Sequence, residues 1–139
     1  LDYGVETSLR ELLYRNAREK GIYTLCSAVM CFGACLSCFS PTGMTHEEFD
    51  HLWNKRREVF LRKTFPPTYF NILVEGVKKN VIPSLSISVN IAGSLLAVEA
   101  LQVLLPDDLP AKREPLTAPK VLLVDLFSQQ WNILDITTL

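Results

Sequence analysis

The sequence predicts an α/β fold in which helices are layered on a sheet, and three stretches carry that expectation. PSLSISVNIAGSLLAVEALQVLL, residues 83–105, holds no charge before Glu99 and repeats its apolar residues near the helical period. IYTLCSAVMCF and ACLSCF read as two buried strands, because a strand covered on both faces is apolar almost throughout. KVLLVDLF, SQQ and WNILDI read as strand, turn and strand, a β-hairpin that closes the chain.

Taken in order, Leu1 to Tyr3 resembles the end of a strand. A helix is expected from about Glu6, with Ser8 and Glu11 at capping-box spacing, an inward stripe of Leu9, Leu12, Leu13 and Ala17, and Gly21 as its stop. The two apolar strands follow, with Gly33 breaking the run between them. Ser40 to Gly43, SPTG, is a turn. Thr45 opens a second helix, with Glu48 completing a capping box and Phe49, Leu52 and Trp53 facing inward. Pro66 and Pro67 end that segment and start another, TYFNILVEGVKK. After the uncharged helix, residues 106–119 are Pro-rich and charged, the pattern of a surface loop.

The uncharged helix has too little polar surface to face water along its length. Ala92, Gly93 and Ala97 let another backbone approach, so the helix is expected to be a buried spine or a dimer interface. Val81 to Val98 approaches membrane-spanning length, but Pro83, Asn90 and four serines argue against a bilayer.

The chain has 139 residues, a net charge of −1 and a hydrophobic fraction of 48%, which suits one ordinary globular unit. Nothing in that balance points to nucleic acid or an anionic membrane. The chain starts at Leu1 without a signal-peptide pattern, which suggests a piece of a longer cytoplasmic protein.

Several motifs are weaker than they first look. Cys26, Cys31, Cys35 and Cys38 lack the paired-knuckle spacing of a zinc site, and strand alternation turns Cys35 and Cys38 to opposite faces. They read as buried thiols. HEEFDH, His46 to His51, differs from the zinc motif H-E-x-x-H by one residue, which places its histidines about 140° apart on a helix. It reads as a solvated helix face with no metal. The basic run from Lys55 to Lys63 is interrupted by Glu58 and reads the same way. The six glycines are isolated, so no phosphate-cradling loop is present.

Four stretches together carry a family resemblance: LDYGVETSLRELLYRNAREKGI, YTLCSAVMCFGACLSCFSP, IPSLSISVNIAGSLLAVEALQVLL and KVLLVDLFSQQWNILDI. In that order they resemble the C-terminal half of the ThiF-type, ubiquitin-activating-enzyme-like adenylyltransferases, in a divergent bacterial branch. The resemblance implies a Rossmann-like layered fold with a mixed sheet. Residues 1–139 would form one partial domain, with a helical insert over 40–80 and a surface loop over 106–119.

The resemblance also implies function. Such a domain binds ATP and Mg²⁺ and adenylates a carboxylate, such as the C-terminus of a ubiquitin-like protein. It pairs as a homo- or pseudo-dimer, and here it would need the missing N-terminal half that carries the phosphate grip. The cofactor-binding positions that match are Asp2, Gly4 and Glu6. Val5 stands where the family has a metal-binding Asp, and an aliphatic side chain cannot coordinate Mg²⁺. The region 39–79 lacks the family's zinc pair and thioester cysteine. An inactive binding or dimerisation module is therefore the alternative. A dinucleotide-binding oxidoreductase is the third reading, since half a Rossmann fold serves both chemistries.

Overall fold

The computed structural model describes residues 7–79, 81 and 85–139, and every structural statement below concerns those residues. The chain is mixed α/β, with four helices and a four-stranded open sheet. The first helix, α1, spans Thr7–Glu19. Ser8 is already helical, so it does not stand at the cap position that its spacing to Glu11 suggests. Its end is as expected. Gly21 has φ 69°, its N–H donates to Arg18 O at 3.0 Å, and the Ile22 N–H reaches back to Ala17 O at 2.8 Å. Those two bonds form a Schellman motif, which needs a residue able to take the left-handed conformation at the glycine position.

Strands β1 (Thr24–Met30) and β2 (Gly33–Phe39) form an antiparallel hairpin in full register. Only Cys31 and Phe32 connect them, and so short a loop admits no other direction. Cys31 takes the turn's positive φ, 48°. Strand β2 is buried at every residue on both faces, as its unbroken apolar composition requires. Strands β3 (Lys120–Asp125) and β4 (Gln130–Asp135) are the expected closing hairpin. The sheet order is β1-β2-β3-β4.

All three pairings are antiparallel, which corrects the mixed sheet implied by the resemblance. The decisive pair is β2 with β3, which meet antiparallel although the helices intervene between them. That direction is set by where the long connection returns the chain, not by any local residue pattern.

Helices α2 (His46–Thr64) and α3 (Pro67–Lys78) cover one face of the sheet. The Thr45–Glu48 capping box forms as expected: the Glu48 N–H donates to Thr45 Oγ1 at 3.2 Å, and the Thr45 N–H donates to Glu48 Oε2 at 2.8 Å. Phe60, Leu61, Phe65 and Phe70 meet Cys35, Val121, Leu123 and Ile136 in the main core, with Phe49, Leu52 and Trp53 packed against it. Pro66 and Pro67 separate the two helices, and Pro67 takes the first helical position, where a missing N–H costs nothing.

The uncharged helix is α4, Ser86–Leu104, which packs on β1 and β2 from the other side. Sheet alternation then sorts the thiols. Cys35 points into the α2–α3 core, while Cys38 lies on the α4 side within the field of Glu99. Past the end of its pairing with β3, strand β2 is extended by the surface loop. The Cys38 N–H donates to Leu116 O at 3.1 Å, and the Ala118 N–H donates to Cys38 O at 2.7 Å.

Candidate functional site

Asp2, Gly4, Val5 and Glu6 lie outside the described residues, as does the strand end expected over Leu1–Tyr3. The sites that can be built from described residues are the outer face of α4 and a cleft where α1 meets the start of α2.

Helix α4 turns only one edge inward. Ser88, Ala92 and Glu99, spaced to share one side of the helix, are its buried residues. Ser88 Oγ donates to Cys31 O at 2.8 Å, which fixes the carbonyl of the strained hairpin loop. Glu99 is 2% exposed, paired with Arg113 and accepting the Leu116 N–H at 2.9 Å. It is the only charged residue of α4, and it clasps the 106–119 loop onto the helix. The residue is charged where the helix is covered and absent where the helix is bare.

The opposite edge corrects the expected buried spine. Ile87, Val89, Val98, Leu101 and Leu104 are exposed, the last at 78%. Gly93 and Ala97 are exposed among them, and a Cβ added at Gly93 would meet nothing within 4 Å. Periodicity predicted an apolar helix correctly, but the sheet covers only the side that carries Ser88, Ala92 and Glu99, with Ile91, Leu95, Leu96 and Val103 half-buried beside them. The α1 stripe is corrected in the same way, since Leu9, Leu12 and Leu13 are each exposed rather than inward.

The cleft lies between α1, the Ser40–Gly43 turn and the α2 N-terminus, with a volume of about 130 Å³. His46 lines it. That histidine is not on a solvated face as expected, for it is 7% exposed and stacked on Tyr14 with ring centroids 4.0 Å apart. Phe39 lies 5.3 Å from the same ring. Burial, and secondarily the nearby Arg10 guanidinium, hold His46 below the usual imidazole range. No local pattern betrays this burial; it follows from α1 folding back over the helix start. His51 is exposed, as expected.

The remaining motifs resolve into structure. Burial pushes the Cys35 thiol up to about 11, with Cys26 adding to the effect. Burial and then Glu99 push Cys38 up to about 12. Neither is an activated nucleophile, which needs a lowered pKa. Phe39, not Cys38, turns towards His46, so no thiol–imidazole pair forms there. In the basic run, Arg56 Nη1 donates to Ile136 O at 3.0 Å and Leu139 O at 3.1 Å, holding the C-terminal segment. Arg62 pairs with Glu58 at 2.9 Å and sits over the Phe70 ring.

No group of three His, Cys, Asp or Glu among the described residues converges as metal ligands, and their glycines form no phosphate loop. No family model and no curated protein matches this sequence.

Glu99→Ala is expected to destabilise the fold by about 2 kcal/mol, because it leaves the Leu116 N–H unpaired and Arg113 without its partner. The cost stays below that of breaking a fully buried ion pair because the Arg113 side chain is half exposed and can turn to water. Glu99→Gln keeps an acceptor for Leu116 and is expected to cost about half as much. Urea midpoints at an unchanged m-value measure both, and equal losses in the two variants would count against the clasp.

Proposed function

We propose that this chain is a docking and dimerisation module of the ThiF-like kind, whose working surface is the outer face of α4. The single observation that carries the reading is that a helix of 19 residues presents no charge on its uncovered side. Exposed apolar residues scattered singly are ordinary, but Ile87 and Val89 at one end and Val98, Leu101 and Leu104 at the other, with the uncharged Asn90, Gly93, Ser94 and Ala97 exposed between them, make a continuous uncharged face that suits an interaction surface.

A second copy is the occupant that this face suits. A two-fold contact requires one patch to complement itself, and an uncharged helix face does so without opposing like charges. Gly93 and Ala97, one turn apart in the middle of the bare edge, allow two helices to approach closely. Insertion of α4 into a bilayer would pull Glu99 and Ser88 away from their partners on the loop and hairpin. The family resemblance adds the expectation of paired subunits. Adenylation of a carboxylate with ATP and Mg²⁺ remains the family's activity, and in this reading residues 1–139 do not supply its phosphate grip.

Sedimentation analysis is the test. The wild-type chain is expected to sediment as a dimer, and Leu101→Glu or Ala97→Glu is expected to weaken that dimer more than tenfold while the circular dichroism spectrum stays unchanged. A monomer at the highest soluble concentration would overturn the proposal. So would flotation of the chain with neutral lipid vesicles, which would assign the face to a membrane. ATP–pyrophosphate exchange by this chain alone would overturn the assignment of the phosphate grip elsewhere.

A further inference from the structure

His46 is the observation that the docking reading leaves unused. His46 is 7% exposed and lines the cleft, and among the described residues the one buried side-chain nitrogen or oxygen left without a partner is Arg10 Nε on the neighbouring helix, not an atom of the imidazole. The imidazole stacks on Tyr14 and lies close to Phe39. The ring lines a cleft large enough for several waters or a small organic group.

The charges around that cleft are asymmetric. Arg15 and Arg18 enter from α1, and the α2 N-terminus contributes the positive end of a long helix. Arg18 spends one N–H on Gly43 O at 2.8 Å, which leaves most of its donors unused by that bond. Of the two acids in the first turn of α2, Glu48 is folded back onto Thr45 as the capping box. Glu47 reaches Arg15 at 3.4 Å, and both side chains of that pair are substantially exposed. Such a pair is loose and exchangeable.

We propose that this cleft binds a small aliphatic carboxylate. The carboxylate takes the place of Glu47 on Arg15, gains Arg18 as a second cation, and accepts the N–H of His46. Ile22, Pro41 and Met44 wall its hydrocarbon end. A phosphate suits the cleft less well, because the apolar wall offers it nothing and Glu47 at the rim repels a dianion more strongly than a monoanion. The neutral form of His46 fits this role, supplying one donor and one lone pair. The charged groups around it are Arg10 and Glu11 on α1, and Glu47 and Asp50 on α2.

The test is a titration of the intact chain with sodium propionate at constant ionic strength, read by NMR from the carbon-bound imidazole protons of both histidines. His46 is expected to shift saturably while the exposed His51 stays still. Arg18→Gln is expected to weaken the apparent affinity at least tenfold. His46→Phe keeps a stacking ring, and the Arg18→Gln series stands by itself should that variant fold poorly. The proposal is overturned if propionate moves His46 no more than chloride does, or if Arg18→Gln leaves the titration unchanged. An equal response to inorganic phosphate would also overturn it, by reducing the cleft to an unselective anion patch.

Discussion

Phe60→Ala is expected to remove about 3–5 kcal/mol of stability, which approaches the entire margin of a domain this size. Phe60 has no solvent exposure and stands where α2, α3 and the sheet converge. Its neighbours are themselves anchored. Trp53 meets its ring edge-on at 4.6 Å, and Val121, Leu123 and Ile136 come from the closing hairpin and its exit. A cavity there cannot be filled by one side chain without moving a helix or the sheet, so relaxation is limited and the cavity cost stays high. Phe60→Leu retains most of the volume and is expected to cost less than about 1.5 kcal/mol. Urea unfolding followed by tryptophan fluorescence reports directly, since Trp53 lies against the substituted ring. A loss below about 1 kcal/mol for the alanine variant would mean that α2 and α3 do not pack on this face of the sheet.

The parts of the fold legible in the sequence are those written into neighbouring residues. The Thr45–Glu48 capping box, the Gly21 helix stop, the Pro66–Pro67 break and the closing hairpin each depend on groups within a few residues of one another. Such features recur wherever their residues do, because the hydrogen bonds involved close short loops of chain. The features that escaped are decided by distant segments. The strand direction of β3 against β2 depends on the path through three helices. Apolar periodicity in α1 and α4 identifies a face that seeks cover, yet says nothing of what supplies it. Leu9, Leu12 and Leu13 of α1 and Ile87, Val89, Val98, Leu101 and Leu104 of α4 stay exposed, while Ile91, Leu95, Leu96 and Val103 of α4 are half-buried beside the covered Ser88 and Ala92.

The candidate sites follow the same division. In sequence Glu99 marks only the point where the charge-free run ends, and its role as a buried clasp needs Arg113 and Leu116, which the loop brings back from beyond the helix. His46 sits in a motif whose spacing argues against a metal. It carried no information about Tyr14, whose stacking turns an unremarkable helix-start histidine into the wall of a cleft.

Gly33→Ala is expected to cost about 3 kcal/mol, the upper end of what an overpacked interior usually loses. In sequence this glycine marks a break between apolar runs. In the structure it is the first residue of β2, paired with Asp125 across the β2–β3 ladder. A Cβ built there would lie far inside van der Waals contact of the Val124 carbonyl oxygen and within 3.3 Å of Asp125 Cα. Those are backbone atoms in the middle of the sheet, so no side-chain rotation relieves the clash and the two strands must part. Parting them also disturbs Asp125, which is fully buried and accepts the Phe127 N–H at 3.3 Å in the closing turn. Gly93→Ala is the matched comparison. That position is helical and an added Cβ meets nothing within one chain, so at concentrations too low for the α4 faces to pair, alanine's helix propensity is expected to stabilise the fold by about 0.5–1 kcal/mol. Thermal and urea denaturation of the two variants should therefore move in opposite directions. A Gly33→Ala protein as stable as wild type would show that β2 and β3 are not hydrogen-bonded at this register, and the antiparallel sheet order would fall with it.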